Sequence, residues 1–285
     1  MPKDLSQLFY PRSVAVIGAS NSKHKVGAIV LKNILNSGFK GRVYPVNPTL
    51  KKIGKLRCYG EIGELPETPD LAVIAIPAEK VNTVIEQAGV KGVKNVVVYA
   101  AGYKEIGPDG ATLEQCLKAV AERHFINLLG PNCLGFVNSM CPINATFGQP
   151  LKTFGNLRFI TQSGAIAASL FDWCNSTGVG FSEFITLGNK TILSENDILQ
   201  YFFEQGNNSL TSLSTSFEGE SKCHPIGMYL ESISGGKEFI RLTKEITKTD
   251  PVFILKPGKT KEAVNAMQSH TGALAGEDDV LDIAL

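Results

Sequence analysis

The chain has 285 residues, 43% of them apolar and 19% charged, enough for one large or two ordinary domains with proper cores, which excludes disorder as the dominant state. Lys and Arg (28) balance Asp and Glu (27) to a net charge of +1, so the broad positive footprint of most nucleic-acid binders is absent and an anionic ligand must be held locally. No stretch approaches the roughly 20 apolar residues of a membrane span, and the start, Met1 to Asp4, lacks a signal peptide's apolar segment; a cytosolic location with neither nucleic-acid nor membrane partner is expected. Six cysteines (58, 116, 133, 141, 174 and 223) are scattered with no Cys-x-x-Cys pair, so neither a zinc site nor a disulfide framework is expected.

Apolar bursts alternate with helical patterns. Val14 to Ile17 predicts a buried strand, Ala28 to Leu35 a helix, and Arg42 to Val46 a second strand. Strands follow at Leu71 to Ile76, Asn95 to Tyr99 and Ile126 to Leu129, separated by helices over Glu79 to Ala88 and Gly110 to Arg123. Short apolar strands divided by helices imply a parallel sheet covered on both faces, so residues 1–130 read as one Rossmann-type unit. The next segment, 131–155, is rich in Pro, Gly and Asn without a clear period, and reads as a linker or the start of a second unit.

The alternation then resumes over 156–285. Strands are predicted at Arg158 to Ile160, Gly180 to Thr186, Pro225 to Leu230 and Val252 to Leu255. Helices are predicted at Gly164 to Cys174, at Ser194 to about Gln205 with Asp197 in a capping-box position, and at Gly236 to Thr247. Residues 206–222 are polar and aperiodic and read as a loop. The chain stops nine residues beyond Gly276, which suggests a fragment of something longer or a subunit completed by a partner.

Four constellations carry chemistry. Gly18 to Gly27 lies between a strand and a helix, where glycines let backbone approach a phosphate and the helix N-terminus supplies donors; the plain alternative is a tight turn without ligand. Its spacing is not Gly-x-Gly-x-x-Gly, and the second strand ends in Val46-Asn47-Pro48 where a nicotinamide enzyme usually carries an acid, which disfavours that cofactor. Ser163, Gly164 and Ala165 repeat the strand–turn–helix logic as a second anion site, or Ser163 is simply an N-cap. His270 sits among small residues, exposed or mobile, as a nucleophile or proton carrier, or as a loop residue without chemistry. Glu231 follows a strand's C-terminal end, where a carboxylate orients an imidazole or caps a helix.

Taken in order, Ser13-Val-Ala-Val-Ile-Gly-Ala-Ser20, Val43-Tyr-Pro-Val-Asn-Pro48, Gly130-Pro-Asn-Cys-Leu-Gly135, Thr161-Gln-Ser-Gly164, Gly188-Asn-Lys190 and Ser269-His-Thr-Gly-Ala-Leu-Ala-Gly276 resemble the α subunit, or α-type half, of the NDP-forming acyl-CoA synthetases. That superfamily includes succinyl-CoA synthetase and ADP-forming acetate–CoA ligase, and the wording here is nearer the acetate type. The resemblance implies an α/β protein with a Rossmann-like CoA-binding domain followed by a flavodoxin-like domain of succinyl-CoA synthetase type. It places the phosphates of coenzyme A over Gly18, Ala19, Ser20, Lys25, Val26 and Gly27, and adenosine near Asn47 and Pro48. The pantetheine then passes Ile76, Pro77, Ala100, Ala101 and Gly102 toward Asn132 and Cys133. It implies further that acyl-CoA and phosphate give an acyl phosphate, which phosphorylates His270, and that Glu231 holds the imidazole while Ser163, Gly164 and Ala165 hold the phosphate.

The phosphoryl group would pass to Mg-ADP in an ATP-grasp domain, which this chain lacks and a β-type subunit or further domain must supply; an oligomer is expected. Two departures stand out. Leu50 lies near the place of a CoA-contacting lysine, so Lys51 or Lys52 must substitute or the contact is lost, and the loop 206–222 is longer than its family counterpart. Two other classes compete: a non-catalytic CoA-binding module, such as the synthetase-like region of some protein lysine acetyltransferases, and an NAD-linked dehydrogenase.

Overall fold

The computed structural model describes residues 3–211 and 223–257. The first half runs α1 (Ser6–Phe9), β1 (Ser13–Ile17), α2 (Val26–Asn36), β2 (Arg42–Val46), β3 (Lys52–Ile53), β4 (Leu56–Arg57), β5 (Leu71–Ile74), α3 (Ala78–Lys91), β6 (Asn95–Val98), α4 (Pro108–Arg123) and β7 (Asn127–Leu129). Five of these strands form a parallel sheet in the order β2-β1-β5-β6-β7, while β3 and β4 pair as a small hairpin. The central strands are fully buried because helices cover both faces: Val14 and Val16 meet the α2 residues Val30 and Ile34, and Ala15 and Ile17 face the side of α3 and α4.

The second half runs β8 (Gly135–Asn138), β9 (Ile143–Thr146), β10 (Phe154–Thr161), α5 (Gly164–Thr177), β11 (Phe181–Thr186), α6 (Glu195–Thr211), β12 (Ile226–Tyr229), α7 (Gly236–Ile246) and β13 (Val252–Leu255). Its sheet has the order β13-β12-β10-β11-β8-β9. The strands from β10 to β13 pair in parallel, and the β8–β9 hairpin adds antiparallel along β11. Helix α5 covers one face through Phe171 and Cys174, and α6 and α7 cover the other through Phe202, Phe239 and Leu242.

In both sheets the chain reverses its direction of travel beside the first parallel strand. From β1 the chain winds through α2 to β2, then returns past β1 to β5; from β10 it winds through α5 to β11, then returns past β10 to β12. Each reversal opens a crevice at the strand C-termini, between β1 and β5 and between β10 and β12. Ligands of open α/β sheets bind at such switch points.

The two sheets share a core. Leu129 and Val97 of the first pack in one apolar cluster with Phe136, Ile143 and Ala145 of the β8–β9 hairpin. Buried polar groups at this seam are satisfied: Asn33 of α2 donates to the carbonyls of Thr146 (2.8 Å) and Gly148 (3.0 Å), and the Tyr99 hydroxyl donates to Ala145 O at 2.8 Å.

Three expectations are corrected. Residues 135–146, within the segment read as aperiodic, form the β8–β9 hairpin, so the second sheet is mixed rather than wholly parallel. Residues 206–211 belong to α6, not to a loop; the rest of 206–222 lies outside the described residues, apart from that helical end. At Ser194 half of the expected capping box forms: its N–H donates to Asp197 Oδ2 at 2.8 Å, but its hydroxyl donates to the same oxygen at 3.0 Å instead of accepting a backbone N–H.

Candidate functional site

The first crevice begins at Gly18, whose φ of +83° is open to glycine and whose added Cβ would lie 2.3 Å from Ala75 O. Gly27, in the first turn of α2, lies so close to this turn that a Cβ would stand 2.1 Å from Gly18 O. Together they bring the N-terminus of α2 against the end of β1, where its first-turn N–H groups, at Val26 and Gly27, have no acceptor within the helix. The turn is braced from β2: Gly18 N donates to Val46 O (3.0 Å), and Asn47 Nδ2 donates to Ala19 O (2.8 Å).

Above this turn lies a cavity of about 1080 Å³. Gly18, Ser20, Lys25, Val26, Asn47 and Pro48 line one end, and Ile76, Pro77, Ala100 and Ala101 line its course. Ala19, Gly27, Gly102, Asn132 and Cys133 do not line it. Ala19 and Gly27 are buried beneath the turn, Gly102 N donates to Glu105 Oε1 (2.6 Å), and Asn132 N donates to Ala100 O (2.9 Å). Cys133 is 4% exposed with Sγ 3.4 Å from Val98 O, and burial pushes its thiol up to about 12, so it is a packing thiol.

Several lining residues were not read from the sequence. His24 lies in the turn after β1, Lys80, Thr83 and Gln87 come from α3, and Tyr99 and Phe147 also line the cavity. The spacing of 80, 83 and 87 on one helix face was the available signal. Phe147, edge-on to Tyr99 at 5.7 Å between centroids, follows β9 and so brings the second sheet into the wall.

The second crevice holds the other pair. Parallel pairing of β10 with β12 sets Thr161 opposite Tyr229, so Ser163 and Glu231, each two residues further on, emerge from adjacent strand ends. Ser163 is the N-cap of α5: its Oγ accepts from Ile166 N at 3.3 Å, which leaves the hydroxyl proton for a ligand. Its own N–H is committed to Thr161 Oγ1 (3.0 Å), so of the three residues read as an anion site only Gly164 and Ala165 can offer backbone donors. Gly164 and Ala165 are exposed first-turn residues whose N–H groups have no acceptor within the helix, and a Cβ on Gly164 would meet nothing within 4 Å. Glu231 is 8% exposed. His270 lies outside the described residues.

The fold defines an α/β protein of two units, each with a crevice at its strand C-termini, one opening on a cavity and the other on the N-terminus of α5. A CoA binding domain model matches residues 12–139, and a succinyl-CoA ligase-like flavodoxin domain model matches residues 154–285. The chain is 40% identical over 272 residues to acetate–CoA ligase [ADP-forming] I of Archaeoglobus fulgidus, covering 95% of this chain and 37% of that protein. It is 36% identical to the α subunit of acetate–CoA ligase [ADP-forming] I of Pyrococcus furiosus, covering 98% and 58%. The structure of Candidatus Korarchaeum cryptofilum acetyl-coenzyme A synthetase 1 in complex with phosphate and ADP superposes with a TM-score of 0.88 at 35% identity, over 99% of this chain and 57% of that one. The chain thus carries a CoA binding domain followed by a succinyl-CoA ligase-like flavodoxin domain, is similar along its length to the α-type part of ADP-forming acetate–CoA ligases, and spans 37 to 58% of the length of these relatives. Among the described residues no helix is long and apolar enough to cross a membrane.

Proposed function

We propose that the chain is the CoA-binding and phosphoryl-carrying part of a cytoplasmic ADP-forming acid–CoA ligase. The observation that carries this reading is the cavity that starts at the Gly18 turn of the first domain and ends against Phe147 of the second. At about 1080 Å³ it lies just above the roughly 300–1,000 Å³ usual for ligand sites, which suits a cofactor longer than a mononucleotide. Its phosphate end offers Lys25, His24 and the α2 N-terminus, and its course past Ile76, Pro77, Ala100 and Ala101 is apolar and neutral, as a pantetheine requires.

In the forward direction, inorganic phosphate attacks the thioester carbonyl of acyl-CoA, expelling CoA as thiol and leaving an acyl phosphate. A ring nitrogen of His270 then displaces the carboxylate from phosphorus and carries the phosphoryl group. Gly164 and Ala165 amides and the Ser163 hydroxyl stabilise the phosphate charge, and Glu231 holds the other ring nitrogen. Transfer to Mg-ADP needs an ATP-grasp domain, supplied by a further domain or a β-type partner in an oligomer. Asn47 speaks against a nicotinamide cofactor, since its amide is bonded to Ala19 O and its Oδ1 accepts from Thr49 N and Oγ1 (both 2.9 Å). Titration calorimetry on the intact protein tests the assignment: CoA binds and NAD gives no heat, whereas NAD binding with no response to CoA would overturn it.

A further inference from the structure

Glu231 opens a short loop, residues 231–235, whose backbone is clamped from three sides. From β10, Gln162 accepts from Ser232 N (2.9 Å) and donates to Ser232 Oγ (3.4 Å), tying the loop to the residue next to Ser163. From α6, Glu195 Oε1 accepts from Ser234 N, and Asn196 Nδ2 donates to Ser234 O (2.6 Å). Between them stands Lys190, whose ammonium donates to Ser232 O at 2.7 Å and to Glu195 Oε2 at 2.9 Å.

That ion pair is enclosed, with side-chain exposures of 6% for Lys190 and 0% for Glu195. Lys190 also holds a φ of +55°, a region that non-glycine residues avoid and that recurs where surrounding structure fixes a side chain for a purpose. Charged groups face it from three elements: Glu195 from α6, Glu231 from the loop after β12, and Lys104 from the first domain. The desolvation cost of burying this ammonium is offset by its ion pair with Glu195 and its bond to Ser232 O, so the pair adds little net stability while fixing the loop in place.

We propose that Lys190 is a positioning residue for phosphoryl transfer: with Glu195 it fixes the loop after β12 so that the Glu231 carboxylate stands beside the Ser163 turn. The assignment rests on the reading of Glu231 as the carboxylate that holds the phosphoryl-carrying imidazole. Lys190 touches no reacting atom; it acts through Ser232 O and through its charge on Glu231.

The test is acid-labile phosphate formed on the intact protein from acetyl phosphate, with CoA affinity measured alongside. Lys190→Met lowers the labelling rate at saturating acetyl phosphate by about 10- to 100-fold, the scale of a roughly 1 Å misplacement, while the concentration for half-maximal rate and the affinity for CoA stay unchanged. Because Lys190→Met strands Glu195 in the interior, the double variant Lys190→Met/Glu195→Gln is made as well. It removes the unpaired charge, recovers the melting temperature, and still labels slowly. Wild-type labelling rates in both variants would overturn the role of Lys190 while leaving the phosphoryl-carrier reading intact. A wild type that takes no label would overturn both.

Discussion

Asn47 shows how one side chain can shape a cavity through the backbone beneath it. Its amide nitrogen donates to the Ala19 carbonyl and its oxygen closes the turn to Thr49, so it braces the Gly18 turn while also lining the cavity. Glu105 does comparable work on the far side. Burial alone raises its carboxyl, but donors from Asn189 (2.7 Å), Gly102 N and Tyr103 N (3.1 Å) outweigh that and hold it below the usual range. A carboxyl depressed in the native state stabilises the fold above its unfolded value, near pH 4.3, and that contribution is lost as pH falls through the native value. Glu105→Gln therefore lowers stability at pH 7 by about 1 kcal/mol, read by urea unfolding, and the gap to wild type narrows as pH falls toward 3. An equal gap at both pH values would show that its charge is immaterial. None of this was legible in the sequence, because the partners of Glu105 lie on the Gly102 turn and, 84 residues away, at Asn189.

At the scale of elements, the parallel strands of both sheets fall within a few residues of where apolar runs place them, since Val and Ile runs buried on two faces leave a strong signal. The β8–β9 hairpin escaped for the opposite reason. Asn138, Asn144 and Thr146 interrupt its apolar pattern, yet all three are buried, with Asn138 donating to Phe9 O (3.0 Å) and Thr146 bonded to Asn144 Oδ1 (2.7 Å). Polar residues satisfied by partners far along the chain look like loop residues until the partners are known. Helix α6 was read short because Gly206, Asn207 and Asn208 are poor helix formers, a preference that the fold overrides. Ser163 was legible in both of its readings, and the structure gives it the N-cap geometry. Ser163→Ala should cost about 1 kcal/mol in thermal unfolding from the lost cap; an unchanged melting temperature would mean that the 3.3 Å bond to Ile166 N contributes nothing.

Across the whole molecule, the two switch-point crevices are joined by polar contacts rather than by proximity alone. Glu114 of α4 accepts from Thr191 Oγ1 (2.6 Å) and Asn189 Nδ2 (2.9 Å), and Lys104 Nζ donates to Asn189 O (2.6 Å), so the loop that carries Lys190 is anchored on the first domain. Each strand-end motif was readable singly, and their order pointed to the family. Their assembly was not readable: Phe147 enters the wall of the first domain's cavity only because the hairpin that precedes it packs on α2.

In the proposed function, this architecture serves a phosphorylated His270. The most direct measurement offers the intact protein acetyl-CoA and radiolabelled inorganic phosphate, with no nucleotide, and counts acid-labile label on the wild type and on His270→Ala. Label is expected on the wild type and none on His270→Ala, with the same CoA affinity for both. A wild type that binds CoA yet stays unlabelled, or a His270→Ala variant labelled like wild type, would contradict it.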